Sequence, residues 1–142
     1  MSMHFKRLLP IPKEIREEMP LRADLVEAKR AFDAEVEAIF RGDDDRRALV
    51  IGPCSADRED SVLEYKPRTK GTGYKGLLHN PDPEAGDDLL EGVKAIRRMH
   101  LRVIEEMGMF TADEMLYPSN YQYLVDLLSY VAVGARSVEN QE

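Results

Sequence analysis

The feature that most limits what this chain can fold into is an alternation of periods. Segments with apolar residues at helical spacing alternate with short runs that are apolar without interruption. Leu25, Ala28, Phe32, Val36 and Ile39 form one stripe, which predicts an amphipathic helix over 24–41 with Gly42 as its left-handed cap. "ALVIG" (48–52) follows and reads as a strand buried on both faces. Leu89, Leu90, Val93, Ile96, His100, Val103, Ile104 and Met107 predict a second helix over 88–107, with Asp87 at its N-cap and Gly108 at its stop. "MFTADEML" (109–116) reads as a strand, "PSNYQYLVDLLSY" (118–130) as a capped helix and "VAVGARS" (131–137) as another short buried strand. The order is strand, gap, helix, strand, helix, strand. That predicts an α/β fold whose parallel strands are joined by helical crossovers. Residues 1–22 form an arm punctuated by Pro10, Pro12 and Pro20, with one short helical turn from Pro12 to Met19.

Composition removes several function classes. The 142 residues carry a net charge of −7, which argues against a general nucleic-acid binder. One cysteine, Cys54, cannot form an internal disulfide, and it points to a reducing, cytoplasmic location. The start of the sequence lacks the apolar core of a signal peptide, and no stretch has the roughly 18 apolar residues of a membrane span.

One segment runs against the acidic balance. In "VLEYKPRTKGTGYKGLLHN" (62–80), Lys66, Arg68, Lys70 and Lys75 lie among Gly71, Gly73 and Gly76 with no acid between Lys66 and Lys75. Cations beside glycines, whose backbone N–H groups an anion can approach, suit phosphate. Arginine offers a bidentate fork and lysine a point charge. A solvated basic loop is the plainer reading of the same residues.

In parallel α/β folds, ligands bind at the carboxyl ends of the strands. Cys54, Glu114 and Arg136 each follow or close a predicted strand, and a thiol, a carboxylate and a guanidinium at successive strand ends are consistent with one site. Each also has a structural reading: a small buried thiol, a strand-end carboxylate paired with a cation, and a surface ion pair. His100 falls on an apolar helix face and reads as a core histidine. The tyrosines 117, 121, 123 and 130 read as packing residues, and "EIREEM" reads as a solvated helix face.

Several blocks resemble a known family. "LLPIPKEI", "IGPCSADREDSVLEY", "KPRTKGTGYKGLLHNPDP", "TADEMLYP" and "YVAVGARSVENQE" follow, in order, the type I 3-deoxy-D-arabino-heptulosonate 7-phosphate (DAHP) synthases, nearest to the form found in Gram-positive bacteria. The resemblance implies a (β/α)8 barrel, a divalent metal (manganese, iron, cobalt or zinc), and condensation of phosphoenolpyruvate with erythrose 4-phosphate. This is the first step of the shikimate pathway to aromatic amino acids. It assigns Lys66, Lys75, Ala135 and Arg136 to phosphoenolpyruvate, Arg68 and Thr69 to erythrose 4-phosphate, and Cys54 to the metal. Lys66 and Glu114 carry catalytic roles, Glu114 by positioning phosphoenolpyruvate or its attacking water.

Two departures from the family pattern stand out. Tyr65 joins directly to Lys66, where the family completes a helix and adds a strand bearing a catalytic arginine. The sequence also ends at "ENQE", before the family's remaining strands and metal ligands. The expected organisation is therefore an N-terminal arm and helix (1–47) followed by a partial barrel (48–142). Open strand edges predict homo-oligomers. Two functions stay open: a DAHP synthase by family, of which these 142 residues alone are expected to be inactive, or a catalytically inactive truncated homologue acting at most as a phosphate-binding or oligomerising module.

Overall fold

The computed structural model describes residues 8–52, 59–64, 88–115 and 121–133. Its elements are α1 (Pro12–Glu18), α2 (Ala23–Arg41), α3 (Glu59–Leu63), α4 (Leu89–Met107), β1 (Thr111–Met115) and β2 (Leu128–Val133). β1 and β2 pair in parallel, as the alternation predicts, with Glu114 opposite Ala132 and Met115 opposite Val133. The register shifts between Thr111 and Ala112, so Ser129 is the extra residue of a bulge.

Helix ends follow local chemistry. Glu14 reaches back to accept from the Ile11 N–H (3.1 Å), and Pro12 occupies the first turn of α1, where its missing N–H leaves no gap. α2 and α4 both stop at a left-handed glycine, Gly42 (φ 80°) and Gly108 (φ 64°). The N-cap of α4 is Asp88 rather than the expected Asp87. The Asp88 carboxylate accepts from the N–H groups of Leu90 (3.1 Å) and Glu91 (3.3 Å), two donors that have no partner inside the helix.

α4 is the centre of packing. Val93, Ala95, Ile96 and Met99 meet Leu124 and Leu128 on one side, with Tyr121 and Tyr123 packed against them. Leu101 and Ile104 meet Leu127 on the other, joined by Met19, Leu21, Leu25 and Phe110. Tyr130 stacks on Phe40 of α2. The described tyrosines are thus packing residues, as expected. So is Ile15, the buried residue inside the otherwise solvated "EIREEM".

Two expected elements differ. "ALVIG" is not a strand: residues 45–52 pair with no other described segment, and Leu49 is 82% exposed. A parallel strand exists only through its neighbours, and the apolar run alone does not supply one. Nor does the expected helix run on through 122–130, although Tyr121 is helical. The segment turns through bonds from Leu124 N–H to Tyr121 C=O and from Leu127 N–H to Leu124 C=O, then enters β2 three residues before the expected start. Tertiary ties override its helical spacing. Arg97 holds the Tyr123 carbonyl and the Asp126 carboxylate, Thr111 Oγ1 donates to Leu127 C=O, and Lys29 Nζ donates to Leu128 C=O.

Candidate functional site

Glu114 is the one predicted site residue within the described structure. It lies in the last half of β1 and its side chain is exposed. Because β2 runs parallel and its pairing is unbroken from Ala112 to Met115, the carboxyl ends of both strands emerge on one edge, Met115 beside Val133. The chain continues from Val133 directly into Gly134, Ala135 and Arg136. Lys66, Arg68, Thr69, Lys75, Cys54, Ala135 and Arg136 lie outside the described residues. The topology therefore sets an acid at a strand's carboxyl end, the placement that ligand sites of parallel sheets require.

Other side chains of the same region face the helix layer. Successive strand residues point to opposite faces, so Asp113 faces the helix layer while Glu114 faces the other way. Asp113 Oδ1 accepts from the Glu114 N–H (2.7 Å) and its Oδ2 lies 3.8 Å from His100 Nε2. His100 is buried, as its place on the apolar stripe predicts.

Arg97 is fully buried. Its guanidinium donates to Met19 C=O (2.8 Å) and Tyr123 C=O (2.8 Å) and grips both oxygens of Asp126 (2.8 and 2.7 Å). Lys29 is buried too, donating to Asp33 (2.6 Å) and to Leu128 C=O (3.1 Å). Both were legible as cations set into apolar stripes: Arg97 falls four residues after Val93, and Lys29 four after Leu25.

A cleft of about 430 Å³ opens between α1, α2 and the 121–127 turn, lined by Arg16, Leu21, Lys29, Arg30, Asp33 and Asp126 among others. Its cations are engaged, Lys29 as above, Arg30 with Glu27 and Arg16 with Gln122 C=O. It lies where β2 begins, at the end of the strand opposite to the Glu114 edge.

Exposed ion pairs surround α2. Hydrogen bonds from Arg22 and from Arg46 hold the carboxyls of Asp24 and Asp44 below their ordinary values, and Arg102 does the same to Glu106. Among the described residues no group of three or more histidines, cysteines or acids could hold a metal. Those residues therefore do not amount to a metal site; the one expected ligand, Cys54, lies outside them. No helix among the described residues is long and apolar enough to cross a membrane.

Residues 65–142 match the DAHP synthetase I family. The Trp-sensitive phospho-2-dehydro-3-deoxyheptonate aldolase of Salmonella typhimurium is 31% identical over 157 positions, covering 94% of this chain and 44% of that protein. The phospho-2-dehydro-3-deoxyheptonate aldolase of Corynebacterium glutamicum is 31% identical, covering 94% of this chain and 42% of its own length. The solved structure of the Francisella tularensis aldolase superposes with a TM-score of 0.79 at 27% identity, covering 99% of this chain and 48% of that one. The chain belongs to the DAHP synthetase I family. It spans less than half the length of these relatives. The 157 matched positions also exceed the chain's own 142 residues, so the Salmonella protein holds residues inside the matched span that have no counterpart here.

Proposed function

We propose that this chain is part of a DAHP synthase, a transferase condensing phosphoenolpyruvate with erythrose 4-phosphate. The observation that carries the proposal is the family match over 65–142, which takes in "KPRT", "TADE" and "GAR" together. In this reading Lys66, Lys75, Arg136 and the Ala135 backbone hold phosphoenolpyruvate, and Arg68 and Thr69 hold erythrose 4-phosphate. Fixing both phosphates sets the approach of the enol carbon to the aldehyde, the larger part of what positioning supplies. Glu114, at the strand edge, orients phosphoenolpyruvate or the water that attacks its C2 before phosphate leaves. Cys54 is the thiolate ligand this chain would contribute to a divalent metal, one ligand of a set completed elsewhere.

The same proposal divides the chain into an arm and helix (1–47) and part of a (β/α)8 barrel (48–142). It sets the protein in the cytoplasm, in keeping with its single cysteine. It includes self-association, supported by the exposed apolar residues Leu8, Phe40 and Leu49. The unmatched positions of the longer relatives favour a second reading, in which these 142 residues alone bind phosphate without turnover. Two measurements separate the readings. Phosphate release from phosphoenolpyruvate, dependent on erythrose 4-phosphate and manganese, above that of Lys66→Ala and Arg136→Ala chains supports the enzyme. Binding of phosphoenolpyruvate at about 1 mM, roughly 4 kcal/mol, without release supports the binding module. Amide shifts perturbed away from 66–76 and 134–136 would overturn both.

A further inference from the structure

We infer that His100 is a proton-sensing positioning residue that acts through Asp113 on the backbone of Glu114. The geometry is a relay of three groups. His100 is 4% exposed, and neither ring nitrogen has a hydrogen-bond partner among the described residues. An imidazole buried in that state leaves a donor and an acceptor unsatisfied, which is costly and therefore informative. Its Nε2 lies 3.8 Å from Asp113 Oδ2, beyond a hydrogen bond but within reach of a small rotation of either side chain. The other oxygen of the same carboxylate accepts from the Glu114 N–H at 2.7 Å. One rigid carboxylate thus touches both the titratable ring and the residue at the strand edge.

A protonated imidazole beside a carboxylate draws it into a charge-assisted bond of about 2.8 Å. Closing from 3.8 Å to that distance moves Asp113 and so changes its hold on the Glu114 amide. Among the described residues, the other charges on the packed elements are engaged. On α4 itself, Arg97 is bonded to Asp126, and Arg98 and Arg102 to Glu59 of α3. On α2, Lys29 is bonded to Asp33. From β1, Asp113 is the carboxylate at the ring. The inference rests on Glu114 as a site acid for its meaning, but not for its test.

That test is a pH titration of the labelled 142-residue chain by NMR, across the range in which imidazoles titrate, about pH 5 to 8. The expected result is that the Glu114 amide shift follows the His100 ring with the same midpoint. In His100→Gln that movement of Glu114 is lost, while the Gly42 amide, far along α2, keeps its position and reports a folded chain. In Asp113→Asn the ring still titrates and Glu114 no longer follows. A Glu114 amide that stays still while His100 titrates in the wild type overturns the inference, as does a ring that does not titrate. A Glu114 shift that persists in either variant also overturns it. The wild type and Asp113→Asn decide the matter if His100→Gln does not fold. No ligand enters the experiment, so its failure leaves the phosphate reading standing, and failure to bind phosphate leaves this coupling standing.

Discussion

The helices α2 and α4 have the same length, 19 residues, and the same kind of left-handed glycine stop, yet they are held in different ways. α4 buries most of one face, from Val93 to Ile104, and anchors its N-terminus through the Asp88 cap. α2 has no side-chain cap, and its one buried residue is Lys29. Its aromatic residues remain open, Phe32 at 38% and Phe40 at 59% exposed, although each stacks on a ring outside the helix. Around it run surface pairs: Glu27 with Arg30, Glu37 with Arg41, and Arg46 with Glu35 and Asp44. An apolar stripe states that a helix has an inner face. It does not state how much surface that face will meet, and this difference decides which helix carries the stability.

Removing the buried cation from each helix should separate α2 from α4 most strongly. Arg97→Ala leaves two carbonyls, Met19 C=O and Tyr123 C=O, without their donor beside a partner acid that is 34% exposed, and the expected loss is about 2–4 kcal/mol. Lys29→Ala leaves one carbonyl, Leu128 C=O, and a partner acid that is 39% exposed and can be hydrated. Its expected loss is about 1–2 kcal/mol. Urea unfolding of both variants measures the difference. Equal losses would mean that α2 is as deeply integrated as α4.

The shared stop gives a subtler comparison. At both Gly42 and Gly108 an added Cβ would meet nothing within 4 Å, so alanine costs only the left-handed backbone, roughly 1–2 kcal/mol. With identical local strain, Gly108→Ala should lower global stability by that amount. Gly42→Ala should lower it less, because the end of α2 can fray without taking the core with it. A Gly42→Ala chain that loses as much as Gly108→Ala would show that α2 unfolds only with the whole.

Legibility from sequence follows the same physics. Both long helices and their glycine stops, the short helix from Pro12 and the strand around Glu114 were readable, because period and caps are local signals. The 121–130 segment was not, because its conformation is imposed by Arg97, Thr111 and Lys29 from three other elements. "ALVIG" was misread for the complementary reason: β propensity needs a partner strand, and none of the described segments supplies one. At the site, the Glu114 position was legible as a strand-end acid. The role of Asp113 was not, since an acid beside another acid carries no sign of which face each will take until the strand's register is known.

The smallest expected effect concerns charge. The depressed carboxyls of Asp24 and Asp44 lie at the two ends of α2, each hydrogen-bonded to an arginine, whereas on α4 the depressed carboxyl among the described residues is that of Glu106, hydrogen-bonded to Arg102. A carboxyl whose folded value lies below its unfolded one stabilises the fold above the unfolded value, and that contribution is lost as pH falls through the folded value. The window therefore lies at and below about pH 4, the ordinary carboxylate range. These pairs are exposed, so solvent and salt screen them and each contributes little. Burial, which holds α4, does not titrate there. Hydrogen-exchange protection measured at pH 5 and again near pH 3 should thus fall first along α2, with α4 retaining its protection. Added salt at pH 5 should move α2 in the same direction, and Arg46→Ala should reduce the acid sensitivity of its C-terminal end. If protection in α4 falls first or by the same factor, ion pairing does not distinguish the two helices, and the half-exposed aromatic contacts of α2 hold it instead.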